Sequence, residues 1–244
     1  MGKAGHTFVP VSDTRPERTI VAMGGLSWDD AESRLLEDYV LGLIGRERPR
    51  VLFVPTAVAD DAEATLRVYS QLGDRAQVSH VSFFPWPPPD LRELALEQDL
   101  IYVSGGNTAN ALAIWRAHGF DEILHEAWEA GVVLAGWSAG MICWFEASVT
   151  DSFGPQLEGM RDGLGFLPGS ACPHYDGEAE RRPVYTRLVA DGFPPGVAAD
   201  DCVALRFDGT ELAETVGSRS SAGTYRVSPE GEEPIQTRPL FSGP

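Results

Sequence analysis

The chain has 244 residues, 43% of them hydrophobic, and its 36 acidic against 19 basic side chains give a formal net charge of −17. That length and apolar fraction suit one large α/β domain with a sizeable core, and the charge argues against nucleic acid or an anionic membrane as partner, since both repel it. No apolar run reaches the roughly 18 residues of a bilayer span, and the first six residues lack the apolar stretch of a secretory leader, so a cytoplasmic protein is expected.

Thr19-Ile20-Val21-Ala22-Met23 reads as a first strand that stops at Gly24-Gly25. A helix from Asp29 to Leu43 follows, with Leu35, Leu36, Tyr39, Val40 and Leu43 at core-facing spacing. Val51 to Val54 is a second strand, closed by Pro55-Thr56, and an acidic-start helix runs from Asp60 to about Leu72. Gln77 to Phe84 alternates apolar and polar before the proline-rich Pro85-Trp86-Pro87-Pro88-Pro89. Leu100 to Val103 is a strand ending at Ser104-Gly105-Gly106, and two short helices flank His118-Gly119-Phe120. Gly131 to Ala135 reads as a buried strand and Met141 to Glu146 as a helix. Beyond it lie loops and short strands from Asp151 to Pro173, a helix from Glu178 to Val189, a strand from Ala198 to Phe207 and an antiparallel pair within Glu211 to Val227. The tail from Ser228 has little periodicity and is expected to be partly disordered. Strands alternating with helices imply a mostly parallel sheet with helices on both faces, in a single domain over 1–244 with its core in about 18–227.

The most informative segment is Gly136-Trp137-Ser138-Ala139-Gly140, which joins a strand to a helix. In that setting G-x-S-x-G is a nucleophile elbow, with glycines where the chain turns too tightly for larger residues. The elbow lifts the Ser138 hydroxyl to a helix N-terminus, where backbone N–H groups stabilise an oxyanion. Ser104-Gly105-Gly106-Asn107-Thr108 is a second strand-to-helix turn with exposed N–H groups. It lacks both the P-loop lysine and the G-x-G-x-x-G spacing. As the other half of an oxyanion hole it suits, with the Gly106 N–H joining that of Ala139. Asn107 and Asn110 are the chain's only asparagines and point to a polar cluster at that turn.

A serine nucleophile needs a base, usually a histidine held by a carboxylate. Of the five histidines, His6 is near the N-terminus, His80 in a strand, His118 at a helix end and His125 inside a helix. His174, in the turn-rich Pro173-His174-Tyr175-Asp176-Gly177, is the best placed. For the carboxylate, Asp151, Asp200 and Asp201 remain open, with Asp151 favoured because its loop leaves the elbow helix directly. Cys143, Cys172 and Cys202 have no C-x-x-C spacing, suggest no zinc site or disulfide framework, and should pack as small buried side chains.

Gly-Gly-Asn-Thr, Gly-Trp-Ser-Ala-Gly, Thr-Asp-Ser-Phe-Gly and Pro-His-Tyr, in that order over Arg18 to Leu205, resemble the peptidase E (aspartyl dipeptidase) and cyanophycinase family of serine peptidases. The resemblance implies a three-layer α/β/α fold like class I glutamine amidotransferases, with serine where those enzymes use cysteine. It makes Ser138 the nucleophile, His174 the base and Gly106 with Ala139 the oxyanion hole, and it leaves the acid at Asp151 or at Asp200-Asp201. In aspartyl dipeptidases a basic residue beyond the histidine recognises the substrate aspartate. Here Glu178-Ala179-Glu180-Arg181-Arg182 has another spacing, with Arg181 as a nearby substrate-binding candidate beside Asn107, so the pattern leaves aspartyl specificity open.

The leading expectation is therefore a serine exopeptidase acting on dipeptides or short peptides, without cofactor or metal. A cyanophycinase-like hydrolase of β-aspartyl-arginine peptides and an idle small-ligand binder of the same fold are the alternatives; a flavodoxin-like protein would carry bound flavin. The expected partner is a small peptide substrate, and a homodimer is left open.

Overall fold

Unbroken apolar runs form the centre of the molecule because those strands are covered on both faces. The computed structural model describes residues 18–26 and 31–241; His6 and the expected helix start at Asp29 lie outside them. β1 (Thr19–Met23), β2 (Arg50–Val54), β3 (Gln77–His80), β4 (Leu100–Val103) and β5 (Val133–Trp137) pair in parallel in the spatial order β1-β5-β4-β2-β3. One face is covered by α1 (Ala31–Ile44) and α2 (Ala62–Leu72), whose Leu36, Val40, Val68 and Leu72 pack on Val21, Phe53 and Trp137. The other is covered by α3 (Leu91–Leu96), α4 (Thr108–Ala117) and α5 (Phe120–Glu129), with Leu112, Trp115, Phe120 and Leu124 against Ile20, Leu52, Ile101 and Leu134. Each fully buried side chain of this size contributes about 1.5–3 kcal/mol. The result is the α/β/α sandwich expected from the alternation of patterns. Among the described residues no helix is long and apolar enough to cross a membrane.

After the four-residue α6 (Ala139–Ile142) the chain leaves this sheet. β6 (Phe145–Thr150), β7 (Glu158–Met160), β8 (Leu167–Cys172) and β9 (Gly196–Ala199) build a second sheet, and α7 (Arg181–Ala190) packs on it through Val184, Tyr185 and Val189. The chain then returns to the large sheet as β10 (Val203–Asp208), antiparallel to β1, with β11 (Glu211–Gly217) beside it. β12 (Thr224–Ser228) and β13 (Gly231–Ile235) complete the second sheet, and β14 (Arg238–Pro239) closes the large one.

Four local expectations are corrected. The helix read over Met141 to Glu146 is α6 followed by strand β6; a short apolar run fits either element, and contacts with the core of the sandwich decide it. The strand read over Ala198 to Phe207 is two strands in different sheets, broken at Asp200-Asp201-Cys202, where Cys202 has φ 68°. The pair read within Glu211 to Val227 is likewise split: β11 joins β10, whereas β12 joins β9 and β13. The tail carries β13 and β14, ordered by backbone pairing that leaves no apolar period to read.

Candidate active site

The parallel strands end in turns that converge on one side of the sheet, the usual place for ligand sites in open α/β folds. At the end of β5, Ser138 has φ 55° and ψ −109°, a region non-glycine residues avoid and functional turns hold at a cost. Its N–H donates to Met23 O at 3.0 Å, and its own carbonyl accepts from Met141 N and Ile142 N, which locks the elbow. Gly140 is required there, because a Cβ on it would overlap Val103 O of the neighbouring strand. All five non-glycine residues with positive φ among the described residues, Ala59, Asp60, Ser138, His174 and Cys202, lie in turns at this edge or in the loops beside it.

A pocket of about 280 Å³ is lined by Leu26, Val58, Ala64, Ser104, Gly105, Gly106, Trp137, Ser138 and His174. Ser138 and His174 thus share one cavity although 36 positions separate them in the chain; the hydrogen bonds of the described residues do not join them directly. Gly105 abuts the serine, since a Cβ on it would stand 3.4 Å from Ser138 Cβ. The backbone N–H groups of Gly106 and Ala139 have no hydrogen-bond acceptor among the described residues, and both sit beside Ser138, one in the β4–α4 turn and one at the start of α6.

His174, with φ 51°, is fixed from its other side. Its Nδ1 lies 2.7 Å from Asp201 Oδ1. The hydrogen bond from His174 holds the Asp201 carboxyl below the usual carboxylate range against the opposing effect of burial, with the Arg219 guanidinium assisting. The turn that carries Asp201 is itself braced. Asp201 N donates to Asp176 Oδ1 at 2.8 Å, Arg219 Nη2 donates to Asp201 O at 3.2 Å, and Arg219 also pairs with Asp176 Oδ2. Gly25 makes room for the pair: a Cβ there would overlap Asp201 Oδ1 and stand 2.7 Å from His174 Nδ1.

The other residues singled out from the sequence lie elsewhere. Asp151, favoured for its proximity in sequence to the elbow, does not face His174; its side chain is 59% exposed and 4.0 Å from Arg181 Nη2. Asp200 is 2% exposed, accepts from Gly223 N at 2.8 Å through Oδ2 and leaves Oδ1 unpartnered, and burial raises its pKa to about 6. Asn107 is occupied in capping: Oδ1 accepts from Asn110 N at 2.9 Å and Nδ2 donates to Ser152 O at 2.9 Å. Arg181 is 3% exposed, with Nε on Glu178 Oε2 at 2.8 Å and Nη1 on Val149 O at 3.1 Å. It staples α7 to β6 and is not among the pocket-lining residues. His80 pairs with Tyr69 Oη on the sheet edge, His118 packs on Phe83 and His125 on Phe166. The three cysteines are buried, and none is in a disulfide among the described residues. No group of three or more His, Cys, Asp or Glu side chains among the described residues could hold a metal ion.

Sequence reasoning missed Gly25 and the pocket walls Leu26, Val58, Ala64 and Trp137. Gly24-Gly25 was legible only as a strand breaker, and single apolar residues in turns carry no period.

The family model for peptidase family S51 matches residues 20–215. The chain belongs to peptidase family S51. Within this family it resembles the uncharacterized peptidase YgaJ of Bacillus subtilis (strain 168), with 48% identity over 213 residues, 86% of this chain and 92% of that one. Its fold resembles the crystal structure of a peptidase from an acI-B1 Actinobacterium, at TM-score 0.70 and 18% identity over 91% of this chain and 96% of that one. It also resembles a Listeria monocytogenes EGD-e protein named for peptidase E, at TM-score 0.61 and 18% identity over 82% and 98% of the two chains. An S51 chain is a peptidase, and the elbow and the His174–Asp201 pair lie inside the matched span.

Proposed function

We propose that this S51 peptidase is a serine exopeptidase that cleaves dipeptides or short peptides through an acyl-enzyme on Ser138. One observation carries the reading: Ser138 on its strained elbow shares a small pocket with His174, whose Nδ1 is taken by Asp201. With Nδ1–H bound to the carboxylate, the lone pair of Nε2 is left to accept the serine proton. Ser138 Oγ attacks the scissile carbonyl, and His174 holds that proton and returns it to the leaving amine. Asp201 stays ionised and stabilises the imidazolium. The N–H groups of Gly106 and Ala139 receive the oxyanion, and water then releases the acyl group by the same steps. The cavity of about 280 Å³ lies at the lower end for ligand pockets, which suits one residue of a short substrate better than an extended chain.

The test is covalent labelling and turnover. A fluorophosphonate should modify Ser138, and Ser138→Ala should lose labelling and at least about three orders of magnitude of dipeptide turnover while keeping its thermal unfolding. Turnover of that variant within tenfold of the parent would remove Ser138 from the mechanism.

A further inference from the structure

We propose that the Ser138 pocket selects substrates with an uncharged, apolar side chain on the acyl side of the scissile bond, through Val58, Ala64 and Trp137. The inference rests on Ser138 as nucleophile. The proton goes from His174 to the leaving amine, so the leaving side of a bound peptide lies toward His174 and the acyl side toward the Gly105-Gly106 turn. Val58 belongs to that second side, because a Cβ on Gly106 would stand 2.9 Å from Val58 Cγ1. Ala64, in the first turn of α2, lines the same cavity. Trp137 forms a rigid wall, stacked on Phe53 with centroids 6.2 Å apart and packed on Tyr102 at 5.0 Å. Leu26, next to Gly25 in the chain, completes the lining.

Among the described residues no lysine or arginine lines this pocket. The arginines nearest the His174 loop are each engaged. Arg181 is held by Glu178 and Val149 O, Arg182 lies over the rings of Tyr175 and Tyr225 and pairs with Glu232, and Arg219 clamps Asp176. The segment that supplies Val58 and Ala64 carries Asp60, Asp61 and Glu63, of which Glu63 pairs with Arg67, and the whole chain is strongly acidic. A carboxylate side chain in this pocket would lose hydration and find no lysine or arginine among the described lining residues, only neutral groups such as the unpartnered Ser104 hydroxyl, and the net negative charge of the chain would oppose its entry. A methyl or isopropyl group would gain by burial.

The experiment uses the full chain and a panel of Ala-Leu, Val-Leu, Leu-Leu, Asp-Leu, Glu-Leu, Arg-Leu and β-aspartyl-arginine, with Ser138→Ala as blank. The best apolar substrate should exceed Asp-Leu and Arg-Leu by at least about tenfold in kcat/KM. Ala64→Arg, on the solvent-accessible first turn of α2, should shift the ratio of Asp-Leu to Val-Leu upward by at least about tenfold. Ser138-dependent hydrolysis led by Asp-Leu, Arg-Leu or β-aspartyl-arginine overturns the pocket assignment alone. Peptide hydrolysis that survives in Ser138→Ala overturns the nucleophile on which it rests.

Discussion

The sharpest test of the catalytic reading is Asp201→Asn. The carboxylate oxygen 2.7 Å from His174 Nδ1 accepts that ring's proton and so sets the tautomer. A carboxamide keeps the shape but removes the charge, and its NH2 can face the ring instead, moving the proton to Nε2, where it blocks acceptance from Ser138. The loss of the correct tautomer and of imidazolium stabilisation should lower kcat about 10⁴-fold, equivalent to about 5.5 kcal/mol at 1.36 kcal/mol per decade. The fold should persist, since Asp176 and Arg219 brace the turn through the backbone of Asp201. Stability should respond only at acid pH. The Asp201 carboxyl is held below its usual value in the folded state, so its contribution is present above the unfolded value near 4 and is lost as pH falls through the folded value. Asp201→Asn should therefore flatten the acid limb of the unfolding curve. Steady-state dipeptide hydrolysis, run beside Asp151→Asn as a control expected to keep full activity, reads the main effect. Near-parental turnover in Asp201→Asn with a collapse in Asp151→Asn would refute the assignment.

Gly25→Ala places a methyl group inside contact of Asp201 Oδ1 and 2.7 Å from His174 Nδ1, so the pair must separate, and turnover in the same assay should fall at least about 100-fold. Parental kcat in the Gly25→Ala variant would show that the pair is not needed. Asp200 ionises near 6 when folded because it is buried, whereas its unfolded value is near 4, so the parent loses stability as pH rises from about 4 to about 6 and does not regain it above that range. Asp200→Asn, which still offers an oxygen to Gly223 N, should remove this loss and stabilise the protein by about 1–3 kcal/mol at pH 8 relative to pH 4. Denaturant unfolding at the two pH values measures it; an unchanged pH dependence would show that Asp200 ionises normally.

Much of this protein was legible before any coordinates. The inner parallel strands β1, β5, β4 and β2 are largely apolar runs because both faces are covered, unlike the edge strand β3, and the turns that end β4 and β5 announce themselves by the glycines before Asn107 and on either side of Ser138. These are local demands: a tight turn or a buried strand restricts the residues that make it. His174 was legible for a similar reason, as a histidine in a turn-rich loop. The fate of Met141 to Glu146 was not, because its apolar residues suit a helix or a strand and only the packing around Trp144 and Phe145 chooses.

By itself, then, the amino-acid order determined the elements of the sandwich, the elbow and the serine at its tip, since the periodicity of each strand and helix and the glycines of the turn are local features of the chain. The tertiary structure alone decided which carboxylate meets the imidazole. Asp151 lies 13 residues from Ser138 but is carried off by β6 into the second sheet. Asp201 lies 63 residues away and is brought back because β10 pairs with β1, and β1 with β5. Strand pairing acts across any separation in sequence, so proximity along the chain was the wrong measure of proximity in the site.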